Sequence, residues 1–301
     1  MQNNNEPVIE VRNLTQRYGN GRVIYENLSF EVPKGRILGL LGKNGTGKTT
    51  TINILMGYLK PRGGECRIFG EEITAMKPET RARIALLIEG HVQYSFMTIE
   101  QIEHFYSKFY PKWDRDAYYE LMSKLHVSPH QRISSMSCGQ RSQVALGLIL
   151  AQNADLLVLD DFSLGLDPGY RRLFVDYLRE YAKSEDKTIF MTSHIIQDLE
   201  RLIDDCIMLD YGKILIQTPV DKLLKDLSRY TFKLNSPALP EFSADSGIIN
   251  PSKIGGEVEI YTFKTREDLE ATLRNHSIDY SELSNTPITL EDAFIGLTGK
   301  Y

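Results

Sequence analysis

Apolar and polar residues alternate over 8–14 and 22–32, with Gly19-Asn20-Gly21 between them. Period-two alternation broken by glycine and asparagine predicts two strands joined by a turn. After Arg36 the run to Leu41 is apolar and leads into Gly42, as a strand buried on both faces does. Residues 48–59 then have the length and spacing of a helix, stopped by Pro61 and Gly63-Gly64. Two further strands are predicted over 65–69 and 85–88.

From 98 to about 127 the period becomes helical, with an interruption at Pro111; Thr98 and Gln101 have the spacing of a capping box. An apolar helix over 140–151 leads into a strand over 156–159. A helix over 170–183, a strand over 188–191 and a helix over 195–202 follow. The stretches 207–209 and 213–216 read as a hairpin across Asp210-Tyr211-Gly212. Strands alternating with helices imply an α/β protein with a mainly parallel sheet. The character changes after Thr218-Pro219: 236–252 is rich in Pro, Ser and Gly, 257–263 alternates, and 266–275 and 290–297 are helical. The expected organisation is a large domain over 1–218 and a small α+β domain over 219–301. No repeats or low-complexity tracts are evident.

Composition narrows the partners. The 301 residues are 42% hydrophobic and 25% charged, enough for one large domain and a small one. A net charge of −5, with no run of five Lys or Arg, argues against nucleic acid as a partner. Cys66, Cys138 and Cys206 lack any C-x-x-C spacing, which argues against a disulfide framework or a zinc site and fits a reducing cytosol. The polar residues 1–7 do not have the order of a signal peptide. No apolar stretch approaches the roughly 18–20 residues of a membrane span. A soluble chain is expected, so a membrane role requires a separate partner subunit.

Chemistry concentrates at Gly42-Lys43-Asn44-Gly45-Thr46-Gly47-Lys48-Thr49, which fits G-x-x-x-x-G-K-[ST] at every fixed position. Such glycines let successive backbone N–H groups converge on phosphate oxygens, and the helix that follows presents its positive end to the same anion. Lys48 is expected to reach the β- and γ-phosphates of ATP, and the Thr49 hydroxyl to ligate Mg²⁺. A chance glycine-rich turn is the bland reading, and the apolar strand before and helix after argue against it. Leu156-Leu157-Val158-Leu159-Asp160 reads as a buried strand ending in a carboxylate. At a strand's carboxyl end, Asp160 faces the nucleotide crevice and is expected to hold Mg²⁺.

With these two motifs and Met136-Ser137-Cys138-Gly139-Gln140 between them, the chain resembles the ATP-binding subunits of ABC transporters. The last motif is similar to the family signature L-S-G-G-Q, with Met for Leu and Cys for the first Gly. The resemblance covers about residues 8–217 and implies a P-loop ATPase fold with an antiparallel β subdomain and a helical subdomain over about 90–153. It also implies that the signature of one copy caps the γ-phosphate held by the P-loop of another. Nucleotide contacts are then expected from Gly42, Asn44, Gly45, Thr46, Gly47, Lys48, Thr49 and Thr50, and across the dimer from Ser137, Gly139 and Gln140. By the same resemblance Tyr18 stacks on adenine, Asp167 lies in the loop joining the two composite sites, and His194 contacts the γ-phosphate and positions water. Taken singly, Tyr18, Asp167 and His194 have plain structural readings, so these roles depend on the resemblance.

Two positions depart from the family pattern. The residue after the Mg²⁺ carboxylate is normally Glu and is here Asp161, one methylene shorter, which implies hydrolysis that is retained but slower. Where the family has a Gln that contacts Mg²⁺ and couples to the membrane subunit, spacing back from Thr98 points to Glu89, with Gln93 as the second candidate. Each aromatic from Tyr94 to Trp113 has helix core as its plain reading, and the resemblance implies that this helical region receives the membrane subunit. The ending 288–299 resembles that of ATPase subunits of ABC-2-type exporters. The implied function is an ATP-hydrolysing, transport-coupled subunit, paired with itself or a homologue on the cytoplasmic face of the cell membrane, energising a separate multi-span permease. A soluble ABC-type ATPase and a regulator without turnover are the alternatives.

Overall fold

The alternation at the start of the chain becomes two antiparallel strands, β1 (Ile9–Tyr18) and β2 (Arg22–Val32). Their inward positions bury Val11, Leu14, Tyr25, Leu28 and Phe30. The computed structural model describes residues 6–19, 21–88, 94–124, 128–162, 166–184, 186–193, 195–234 and 242–299. The chain divides into two compact units, 1–217 and 218–301.

In the first unit, the apolar run after β2 forms β3 (Ile37–Gly42), which turns into helix α1 (Lys48–Leu55). The helix ends before the predicted Leu59. Gly57 takes φ 75°, a left-handed conformation that closes a helix, and the N–H groups of Tyr58 and Leu59 both fold back onto the Asn53 carbonyl. Strands β4 (Gly63–Ile68) and β5 (Glu71–Glu72) extend the first antiparallel sheet in the order β2-β1-β4-β5. A single helical turn, α2 (Pro78–Arg81), precedes β6 (Ile84–Leu87).

The predicted long helical stretch is two helices, α3 (Ile99–Tyr106) and α4 (Arg115–Ser123), separated around Pro111. Each start is capped: Thr98 and Gln101 form the expected capping box, and Asp114 accepts from the Ala117 N–H at 3.0 Å. Helix α5 (Cys138–Ala151) starts two residues earlier than the apolar pattern because Ser137 caps it, and it is buried along most of its length. It leads into β7 (Leu156–Leu159), helix α6 (Pro168–Ser184) and strand β8 (Thr188–Thr192). Helix α7 (Ile196–Leu202) and strands β9 (Asp205–Asp210) and β10 (Lys213–Pro219) follow.

These strands form a six-stranded sheet in the order β10-β9-β3-β8-β7-β6, with β9, β3, β8, β7 and β6 running parallel. Every residue of β7 and β8 is buried, which explains why both read as unbroken apolar runs rather than alternating ones. The two sheets share one core: Phe30 stacks on Phe190 at 5.8 Å, alongside Leu38, Val158 and Ile207. At the foot of the sheet Arg36 donates two hydrogen bonds of 2.7 Å to Asp205, tying β3 to β9.

The second unit opens with α8 (Val220–Asp226) and β11 (Ser228–Leu234). Strands β12 (Ile249–Ile254) and β13 (Glu257–Thr262), helix α9 (Arg266–Asn275), strand β14 (Tyr280–Thr286) and helix α10 (Leu290–Thr298) complete it. The strand order is β12-β13-β11-β14, all antiparallel. Only β13 and the two helices after it were legible in the sequence. β12 and β14 are the sheet's edges: the first holds Pro251, tolerated where no neighbour needs its N–H, and the second is largely exposed and polar. Tyr230, Phe232, Val258 and Ile260 pack on Leu269 and Leu273 as a core, and Arg229 pairs with Asp292 at 2.8 Å to fasten α10. Replacing Phe232 by Ala should cost about 3–5 kcal/mol, read as earlier urea unfolding and faster proteolysis within 218–301.

Candidate functional site

The carboxyl ends of β3 and β7 lie on either side of β8 in the parallel sheet, so the loops that leave them share one edge. Crevices of this kind are where open α/β sheets take ligands. The loop after β3 turns back on itself through Gly45 at φ 82° and Gly47 at φ 104°. Only glycine fits Gly47 without displacement: a Cβ there would lie 2.6 Å from the Ile24 Cγ2 and 2.8 Å from the Tyr25 Cε1. Thr46 braces the curl, its hydroxyl donating to the Lys43 carbonyl at 2.8 Å, and is itself buried.

Lys48 is 6% exposed, and its ammonium donates to the carbonyls of Gly42 at 2.7 Å and Lys43 at 3.2 Å. Burial pushes its pKa below the ordinary lysine value, and the nearby carboxylates of Asp161 and Asp160 oppose that shift. A phosphate in the loop would supply the negative charge that favours the ammonium further. Helix α1 carries no acidic residue in its first turn, so its N-terminal end keeps its affinity for anions.

Asp160 and Asp161 follow β7 and are 6% and 8% exposed. The Thr49 hydroxyl lies 3.4 Å from Asp160 Oδ1, which brings together the two oxygens expected at Mg²⁺. Among the described residues no group of three or more His, Cys, Asp or Glu could cage a metal by itself. A hydroxyl and one carboxylate fit Mg²⁺, which keeps several waters and takes the rest of its shell from substrate phosphates. Asp161 sits in the left-handed region at φ 52°, with its N–H directed at Thr192.

A cleft of about 270 Å³ is lined by Tyr18, Asn44, Gly45, Gly47, Lys48, Thr49 and Thr50, with Arg22 and Ile24 beside them. Tyr18 is 43% exposed, and its hydroxyl is 3.3 Å from that of Thr50, which leaves a ring face open for stacking. Ser137 and Gln140 form a capping box at the start of α5, with bonds of 3.2 and 3.0 Å. Neither of them, nor Gly139, lines the cleft. Gly139 has a packing reason of its own: a Cβ would meet the Tyr170 ring at 2.5 Å. Cys138 is exposed beside it. Asp167 caps α6 by accepting from the N–H groups of Gly169 at 2.9 Å and Tyr170 at 3.1 Å, the plain reading of Asp before Pro. His194, Glu89 and Gln93 lie outside the described residues.

Sequence reasoning missed Thr192 and Tyr170. Thr192 is placed by strand register: Leu159 pairs with Met191, so the residue after the β7 strand faces a hydroxyl at the end of β8. Tyr170 gave no signal, because its contact with Gly139 joins segments that share no periodicity.

A glycine loop opening a helix beside a strand-end carboxylate defines a P-loop nucleotide-hydrolysing protein. Residues 25–163 match the family model described as ABC transporter. Over 97% of each chain, 28% of residues are identical to the bacitracin transport ATP-binding protein BcrA of Bacillus licheniformis. Identity is also 28% to the Nod factor export ATP-binding protein I of Ralstonia nicotianae, over 98% of this chain and 94% of that one. A solved ATP-binding subunit of an ABC transporter matches with a TM-score of 0.64 at 24% identity, covering 72% of this chain and 92% of that one. Residues 25–163 thus carry an ABC transporter family domain, the relatives are ABC transporter ATP-binding proteins, and the chain is an ATP-binding ATPase.

Gly47→Ala should strain the loop by about 1–3 kcal/mol and weaken ATP binding. Thermal melting and nucleotide titration read the two effects.

Proposed function

We propose that this chain is the ATP-hydrolysing motor of an exporter, working as a dimer on the cytoplasmic face of a membrane against a separate multi-span permease. The observation that carries this reading is the lining of the cleft: at about 270 Å³ it is bounded by the loop, Tyr18, Arg22 and Ile24, and the signature residues Ser137, Gly139 and Gln140 are not part of that lining. A second copy, or a homologous ATPase subunit, brings its signature over the γ-phosphate and closes the site. The names of two relatives that match over nearly the whole length, one for bacitracin transport and one for Nod factor export, favour export. Among the described residues no helix is long and apolar enough to cross a membrane.

The residues act as follows. Tyr18 stacks on adenine, and Gly42, Asn44, Gly45, Thr46 and Gly47 direct backbone N–H groups at the phosphates. Lys48 exchanges its two carbonyl acceptors for the β- and γ-phosphate oxygens. Thr50 supports the α-phosphate side of the cleft. Thr49 and Asp160, together with Glu89, would hold Mg²⁺, which would neutralise charge developing on the β- and γ-phosphates. Asp161 orients the attacking water and accepts its proton, His194 contacts the γ-phosphate, and ADP and phosphate are released.

The permease docks where aromatic side chains come to the surface of the helical region. Phe105 packs edge-on against Tyr94 at 5.0 Å and Phe109 at 5.1 Å, and Phe96 and Phe109 are more than 60% exposed. Exposed aromatics in one patch suit a protein interface.

Lys48→Ala should abolish hydrolysis, and wild-type turnover in that variant would overturn the scheme. Asp161→Asn should lower kcat by about 10²–10⁴-fold, the contribution of a general base, with ATP still bound. Extraction of membranes with detergent and pull-down on the tagged chain should recover a multi-span protein. Recovery of ribosomes or DNA instead would favour a soluble ABC-type ATPase.

A further inference from the structure

One hydroxyl joins the carboxylate of Asp160 to the backbone of Asp161. Thr192 Oγ1 donates to Asp160 Oδ1 at 2.6 Å and accepts from the Asp161 backbone N–H at 3.2 Å. A hydroxyl has a single proton, so giving it to Asp160 leaves the oxygen's lone pairs for the Asp161 N–H. Thr192 is 1% exposed, which shields both bonds from competing water. The parallel register that sets Leu159 beside Met191 brings the next residues of the two strands, Asp160 and Thr192, side by side.

We propose that Thr192 is a positioning residue for both acidic side chains: its hydroxyl orients the Asp160 carboxylate toward the metal and pins the left-handed turn that aims Asp161 at the attacking water. The inference rests on the roles given above to Asp160 and Asp161. Valine has nearly the shape of threonine without its hydroxyl, so Thr192→Val removes these two hydrogen bonds with little change of volume. Asp161 at φ 52° is held through its N–H by both Thr192 Oγ1 and the Thr192 carbonyl, each at 3.2 Å. Loss of the hydroxyl removes one of those acceptors and the shorter bond to Asp160 together. The two carboxylates would then reorient independently of each other.

The test uses the full chain with Thr192→Val and Thr192→Ser, and with Asp160→Asn and Asp161→Asn as references. Affinity for a fluorescent ATP analogue is measured with Mg²⁺ and with EDTA, and steady-state hydrolysis gives kcat and KM. Thr192→Val should lower kcat roughly 10-fold or more, the weight of one hydrogen bond to a charged acceptor, with a smaller change in KM. It should also shrink the gain in affinity that Mg²⁺ provides while leaving binding in EDTA as in the parent, and Thr192→Ser should recover most of both. Parental kcat and Mg²⁺ gain in Thr192→Val would overturn the proposal. So would an equal loss of binding in EDTA, or no recovery in Thr192→Ser. If Thr192→Val does not fold, Thr192→Ala carries the same comparison. Parental behaviour of the two Asn references would instead overturn the roles of Asp160 and Asp161 on which the inference depends.

Discussion

The contact on which the site depends is the approach of Thr49, Asp160 and Thr192 at the carboxyl edge of the parallel sheet. Two segments distant in the chain bring hydroxyls to the Asp160 carboxylate of a third, and they do so because β3, β8 and β7 are neighbours in register. Burial of every residue in β7 and β8 leaves no latitude in that register. A one-residue slip would carry the Thr192 hydroxyl away from Asp160. The apolar core is therefore a precondition of the chemistry as well as of stability: Phe30 on Phe190 holds the antiparallel sheet against the strand that ends in Thr192.

The nucleotide loop shows the same economy of local and distant constraints. Gly47 is required locally by its positive φ and distantly by Ile24 and Tyr25 of β2. The strand that supplies Tyr25 pairs with the strand that ends in Tyr18, so the wall under the loop and the aromatic beside it belong to one hairpin. Lys48 is buried at a cost in solvation, offset by two backbone carbonyls and by the negative charge of the neighbouring acids.

Much of this was legible in the sequence where a side chain's reason is local. The glycine loop, the strand ending in Asp160 and the cap at Thr98 are all set by residues within a few positions of each other, and the pattern carries them. The helix end at Leu55 was misread because a left-handed glycine, Gly57, acts before the more conspicuous Pro61. Strands β12 and β14 escaped because an edge strand has one pairing neighbour and buries little, so neither periodicity nor apolar content marks it. Thr192 and Tyr170 escaped for a different reason. Their partners are set by sheet register and by helix packing, and a single sequence does not print either.

The packing of Gly139 under the Tyr170 ring has a consequence for how such a chain can change by mutation. The signature glycine and the first turn of α6 occupy each other's space, and Asp167 fixes that turn through the Tyr170 N–H. A lineage cannot enlarge residue 139 while the ring stays, yet once the ring is replaced by a small side chain the ban is lifted. The order of substitutions is thereby constrained: position 170 must move first, and position 139 is free to drift only afterwards.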